Sequence, residues 1–169
     1  KFLLGSLKNS NNINDHELKI FSQFGEDGII DYLISKINLN NKKFIEFGVE
    51  DYEEANTRFL LEGQNWEGLI FDSSKSNIKK IHNQDYYWRN KIIAKCEFIT
   101  SENINDLIIK NNFSGEIGLL SIDVDGNDYW VWKSIDKVSP SIVIIEYNAR
   151  LGSQKSITIP YKKDFDRIK

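Results

Sequence analysis

Short apolar runs alternate along the chain with stretches whose apolar side chains recur every three or four positions. That alternation predicts strands separated by amphipathic helices, and hence a parallel sheet covered on both faces. A helix is expected over residues 26–37, where Ile29, Ile30, Leu33, Ile34 and Ile37 fall at helical spacing. Apolar runs mark five strands, over residues 44–47, 69–71, 91–96, 118–122 and 141–145. Between them the pattern predicts helices over residues 57–62 with Gly63 as the stop, 76–82, 104–109 behind a Ser101 cap, and 129–135, with Pro140 as the boundary before the fifth strand. Residues 1–15 and 160–169 read as loop or tail. Right-handed crossovers bring the carboxyl end of every strand to one edge of such a sheet, where open α/β folds bind ligands.

Length and composition narrow the picture only slightly. The 169 residues suit one compact domain over 1–169. Hydrophobic residues at 40% and charged residues at 28% exclude a disordered class. No apolar run approaches the roughly 20 residues of a spanning helix, and no basic-then-apolar leader opens the chain, so a cytoplasmic protein without a membrane span is expected. A net charge of −3 gives no electrostatic reason to expect nucleic acid as a partner. Cys96, the one cysteine, lies among Ile92, Ile93, Ala94 and Phe98 and reads as a small packed hydrophobe. The chain holds no methionine and begins at Lys1, so it reads either as a fragment or as a sequence from which non-standard residues are missing.

Candidate chemistry collects at the expected strand ends. The first strand runs into Glu46, Gly48, Glu50 and Asp51, the second into Asp72, the fourth into Asp123, Asp125 and Asp128, and the fifth into Glu146 and Asn148. An acid ending the second strand suits the ribose hydroxyls of an adenosine cofactor, and Gly48 lets backbone approach a ligand closely. A full G-x-G-x-x-G is absent, and Glu46 and Glu50 would repel a pyrophosphate; they suit a cofactor with a sulfonium and an ammonium group. The cluster Asp123-Val124-Asp125-Gly126-Asn127-Asp128 is rich in oxygen donors, as hard cations such as Mg²⁺ or Mn²⁺ require. It is not an EF-hand, because its glycine comes two places early and Ser134 stands where a bidentate Glu belongs. With Glu146 and Asn148 it forms a candidate metal site that would lower the pKa of a substrate hydroxyl. The plainer alternative is that Asp128 caps the next helix and Asp123 only contacts the cofactor. Trp130 and Trp132 read as core, the Tyr86-Tyr87-Trp88 run as a packed loop, and His16 and His82 receive no catalytic role.

Several motifs together carry a resemblance: Ser22-Gln23-Phe24-Gly25-Glu26-Asp27-Gly28, Phe44-Ile45-Glu46-Phe47-Gly48-Val49-Glu50, Asn56-Thr57, Trp66-Glu67-Gly68-Leu69-Ile70-Phe71-Asp72, Ser121-Ile122-Asp123-Val124-Asp125-Gly126-Asn127-Asp128-Tyr129 and Ile145-Glu146-Tyr147-Asn148. In this order the chain resembles the FkbM-like branch of class I S-adenosylmethionine-dependent methyltransferases, from about Ser22 to Tyr161. The resemblance implies a Rossmann-like α/β fold with helices on both faces, truncated here after the fifth strand, where such folds usually add an antiparallel hairpin. It implies O-methylation of a hydroxyl on a sugar or other small polar metabolite, as in surface-glycan or capsule biosynthesis, with a small-molecule or glycan-precursor acceptor. By that likeness Glu46 and Gly48 belong to the first cofactor motif, Asp72 with Ser73 beside it to the ribose contact, and Gln23 and Thr57 to the methionine end of the cofactor. Asp123 lies beside the methyl donor, and Asp123, Glu146 and Asn148 match the strand-four and strand-five ligands of metal-dependent O-methyltransferases.

Asp123 and Asp125 are thus the candidate catalytic residues. Two rival readings stand beside methyl transfer. One is a Mn²⁺-dependent glycosyltransferase using Asp123-Val124-Asp125 as its D-x-D, against which only Lys133 is close by to meet phosphate. The other is an inactive methyltransferase-like scaffold.

Overall fold

A computed structural model describes residues 10–147, 152, 154 and 156–165. Five strands, β1 (Lys43–Phe47), β2 (Glu67–Asp72), β3 (Ile92–Cys96), β4 (Gly115–Ile122) and β5 (Val138–Ile145), form one sheet in the order β3-β2-β1-β4-β5. Every pairing is parallel. The helices are α1 (Glu26–Lys36), α2 (Arg58–Gln64), α3 (Lys75–His82), α4 (Asp85–Arg89), α5 (Ile104–Lys110) and α6 (Asp128–Ser134). Among the described residues no helix is long and apolar enough to cross a membrane. The α/β Rossmann-like architecture expected from the alternation is the one observed.

Alternation within the strands assigns side chains to two apolar layers. Phe44, Ile70, Ala94 and Leu119 pack with Ile30, Leu60, Leu61, Ile78 and Ile81 on one face. Ile45, Phe47, Leu69, Phe71, Leu120 and Ile122 pack with Ile104, Ile108 and Val131 on the other. Strands buried on both faces must be apolar at nearly every position, which is why they read as short continuous runs. Each fully buried Leu, Ile or Phe contributes roughly 1.5–3 kcal/mol relative to exposure.

Several boundaries differ from expectation for local reasons. The helix expected to stop at Gly63 continues through Gln64 and ends on Asn65, whose φ of 56 gives a left-handed cap. The Ser101 cap is displaced: the Asn103 side chain accepts the Thr100 N–H at 2.9 Å and the Thr100 hydroxyl accepts the Asn103 N–H at 3.3 Å, ahead of Ile104. Pro140 lies inside β5, opposite Ile117, and is tolerated because β5 is an edge strand and leaves an N–H without a ladder partner. The Tyr86-Tyr87-Trp88 run is the short helix α4, with Tyr86 buried and Trp88 77% exposed. Cys96, half-buried, packs against the first apolar layer as expected of a small hydrophobe, its thiol 3.5 Å from the Ser73 carbonyl oxygen.

Among the described residues, the segments expected as loop or tail are loop and turn, tied to the body at particular points. Residues Ile13–His16 form a 3-10 turn that buries His16, stacked 3.7 Å from the Tyr32 ring. Residues 159–165 lie against the loops at the carboxyl edge, where Trp130, half-buried instead of core, donates its Nε1–H to the Ile159 carbonyl at 2.8 Å. Trp132 is 45% exposed.

A candidate active site at the carboxyl edge of the sheet

Glu46 lies near the end of β1, in register with Ser121 of β4. Alternation turns it to the α2 side of the sheet, where it is buried. One carboxylate oxygen accepts from the Asn56 N–H at 3.1 Å and the Ser121 hydroxyl at 3.2 Å; the other accepts from the N–H and the hydroxyl of Thr57. The Tyr52 hydroxyl lies 2.8 Å from that Thr57 oxygen, and Asn56 donates its side-chain amide to Ser121. Burial pushes the Glu46 carboxyl above its ordinary range against the pull of these donors. The same burial, with the Glu46 charge, raises the Tyr52 phenol.

Four donors match the about four acceptor sites of a carboxylate. Glu46, expected to touch a cofactor, is therefore turned inward by the structure and ties β1 and β4 to the loop before α2. Thr57 is buried in the same network. Asn56 and Ser121 complete it; the sequence marked them as members of the family motifs but gave them no role. A polar residue facing inward in the run Gly118-Leu119-Leu120-Ser121-Ile122 was the signal available, and it gains meaning only once register sets Ser121 opposite Glu46.

At the end of β1 the backbone turns at Gly48, with φ 72, and its N–H donates to the Phe71 carbonyl at 3.0 Å. A Cβ there would lie 1.7 Å from the Asp123 carbonyl oxygen. The close approach expected for a ligand is thus made, first of all, by the chain itself, and it brings the ends of β1 and β4 together. Asp72, at the end of β2, is buried and accepts from the N–H groups of Glu50 and Ser74 at 2.9 and 2.8 Å and from the Asn77 amide at 3.1 Å. Three donors leave room for about one more on a carboxylate. Gly48, Glu50 and Ser73 are exposed along this rim. Asp51 pairs with Lys80 at 2.9 Å, and that hydrogen bond holds its carboxyl below the ordinary range.

Gln23 is exposed on the loop preceding α1. A single oxygen of buried Asp27 fixes that loop, accepting from the N–H groups of Ile20, Phe21 and Ser22 at 2.7–2.8 Å and from the Ser22 hydroxyl at 2.9 Å. The Phe21 carbonyl accepts from Ala55, and the Arg58 guanidinium sits 4.4 Å over the Phe21 ring. The Gln23 and Thr57 loops are therefore neighbours. Asp27 stood in the first family motif without a role, because a side chain capping a loop five to seven residues upstream has no fixed sequence signature.

The densest acid group follows β4. Asp123, Asp125 and Glu146 are exposed, and one carboxylate oxygen from each lies within 4.8 Å of the others. This brings Asp125 into a set expected to be Asp123, Glu146 and Asn148; Asn148 lies outside the described residues. Asp128 stands apart. It is buried, and its two oxygens accept the Val124 and Gly126 N–H groups at 2.8 Å each, so it shapes the turn. Within that turn Asp125 (φ 53) and Gly126 (φ 106) adopt left-handed backbone. Three hard oxygen donors this close fit Mg²⁺ or Mn²⁺ better than a soft metal.

Among known families, residues 15–168 match the model of the Methyltransferase FkbM domain. No curated protein and no solved structure matches the chain.

Proposed function

Because the chain belongs to the FkbM methyltransferase family, we propose that it transfers a methyl group from S-adenosylmethionine to a hydroxyl of a sugar or other small polar metabolite, assisted by a divalent cation. The observation that carries this reading is the meeting of Gly48, at the end of β1, with Asp123, at the end of β4, beside the acid cluster. The rim from Gly48 to Asp72 and Ser73 suits the adenosine part of the cofactor, with the remaining acceptor site of Asp72 for a ribose hydroxyl. Gln23 and the Thr57 loop lie on the methionine side. Glu46 acts from behind the site, by holding Asn56 and Thr57.

Methyl transfer is a displacement in which the C–S bond breaks as the new C–O bond forms, so that S-adenosylhomocysteine leaves and the hydroxyl proton must go elsewhere. Much of the acceleration comes from holding oxygen and methyl in line. Asp123 and Asp125 orient the acceptor hydroxyl, and Asp125 takes its proton. Asp123, Asp125 and Glu146 would hold the cation, with Asn148 as a fourth donor. When bound, the cation lowers the pKa of the acceptor hydroxyl. A glycan precursor in surface-polysaccharide synthesis, met in the cytoplasm, fits this polar and acidic site.

Calorimetric titration with S-adenosylhomocysteine, with and without Mn²⁺, tests the reading. Micromolar binding, about −8 kcal/mol, that tightens with Mn²⁺ supports both cofactor and cation. Binding indifferent to the metal removes the cation alone. No binding in either condition, with a nucleotide sugar binding instead, overturns methyl transfer in favour of glycosyl transfer.

A further inference from the structure

The turn carrying Asp123 and Asp125 is held from inside by Asp128, and residues 159–165 hold it from outside. Asn127, buried at the start of α6, donates its side-chain amide to the Lys162 carbonyl at 2.8 Å, and Trp130 donates Nε1–H to the Ile159 carbonyl at 2.8 Å. A Cβ on Gly126 would meet the Phe165 ring at 2.9 Å and the Ile159 side chain at 3.0 Å, so the segment lies directly on the turn. Its far side is tied to another loop. The Tyr161 hydroxyl donates to Glu102 at 2.7 Å and accepts the Ser101 N–H at 3.3 Å, just ahead of α5. These contacts cross the starts of two neighbouring helices that are already joined lower down, where the Asn105 amide donates to the Ser134 carbonyl at 2.8 Å.

We propose that residues 159–165 form a positioning strap that fixes the turn bearing Asp123 and Asp125 relative to Glu146, with Asn127, Trp130 and Tyr161 as anchoring residues. The inference rests on the reading of that acid cluster as the cation and acceptor site. Two left-handed residues in a row make the turn easy to distort. Asp128 closes its backbone but cannot fix its tilt toward β5, since Asp128 moves with α6. A strap anchored independently through Glu102 and Ser101 supplies that external reference. A buried amide and a half-buried indole donating to carbonyls, with an aromatic ring seated on a glycine, distinguish this from a tail lying loosely on the surface.

The test compares Trp130→Phe and Tyr161→Phe, which keep the rings and remove one donor each, with Glu102→Gln, which keeps an acceptor for Tyr161. Amide hydrogen exchange at Val124 and Gly126 reads the turn without any ligand. Both Phe variants are expected to speed that exchange on the order of tenfold while exchange in β1 stays unchanged. Mn²⁺ affinity is expected to fall about tenfold, S-adenosylhomocysteine affinity to stay within about twofold, and Glu102→Gln to lie near the parent protein in each. Unchanged exchange at Val124 and Gly126 in both Phe variants overturns the strap. If the parent protein binds no Mn²⁺, the cation reading fails on its own, and the exchange measurement still decides the strap. Exchange that rises equally in β1 identifies a general loss of stability and also overturns it.

Discussion

At position 48 the backbone holds φ 72 with the Asp123 carbonyl filling the place of a side chain. Gly48→Ala is therefore expected to cost about 2–4 kcal/mol, from left-handed strain plus a forced separation of β1 from β4. Thermal unfolding should show it as a fall of roughly 4–16 °C for a chain of this size. Glu46 presents a different balance. Replacing it by Gln puts an NH₂ group against some of its four donors, a loss of about 1–3 kcal/mol. Burial holds the folded-state carboxyl above its ordinary 4.5. Stability from such a group is full below that value and is lost as pH rises through the folded pKa. Glu46→Gln should therefore cost more near pH 4 than near pH 7, which urea unfolding of both proteins at the two pH values will measure.

At the scale of elements, the acid turn and α6 behave as one unit, because Asp128 begins the helix and also closes the turn before it. Asp128→Ala leaves two N–H groups without their acceptor and is expected to cost about 1–3 kcal/mol. Metal affinity should fall further than stability alone accounts for, since Asp123 and Asp125 lose their common frame. Calorimetric Mn²⁺ titration under conditions where the variant remains folded provides the check. Asp27 plays the parallel part at α1, where one oxygen gathers three backbone donors from residues 20–22 and fixes the Gln23 loop. Asp27→Ala should weaken S-adenosylhomocysteine binding without touching the acid cluster, a separation that paired cofactor and Mn²⁺ titrations will show.

For the molecule as a whole, one sheet serves both apolar layers, so neither layer keeps its packing when the other is lost. Leu60 belongs to the first layer and Leu120 to the second, and both are fully buried. Each Leu→Ala change is expected to cost about 2–5 kcal/mol. Both should shift a single unfolding transition seen alike by far-UV and near-UV dichroism. Two transitions, each moved by one variant, would show instead that the layers unfold separately.

The fold was legible because its cause is written locally: strands buried on two faces are apolar runs, helices covering them carry a 3.6-residue period, and a chain alternating the two forms a parallel sheet with its chemistry at the carboxyl edge. The acids of that edge were legible on the same ground, as were the motifs of the family. Which donors each acid meets was decided only by the tertiary structure. Glu46 and Asp72 read alike as strand-end carboxylates, yet register across β1 and β4 surrounds Glu46 with four donors while Asp72 receives three. Gly48 meets Asp123 across 75 residues, Tyr161 meets Glu102 across 59, and Lys162 and Phe165, in a segment expected as loop or tail, meet Asn127 and Gly126. Sequence patterns report the period and burial of an element. Which donor reaches which acceptor depends on register and crossing geometry, and these come into being only when the elements pack.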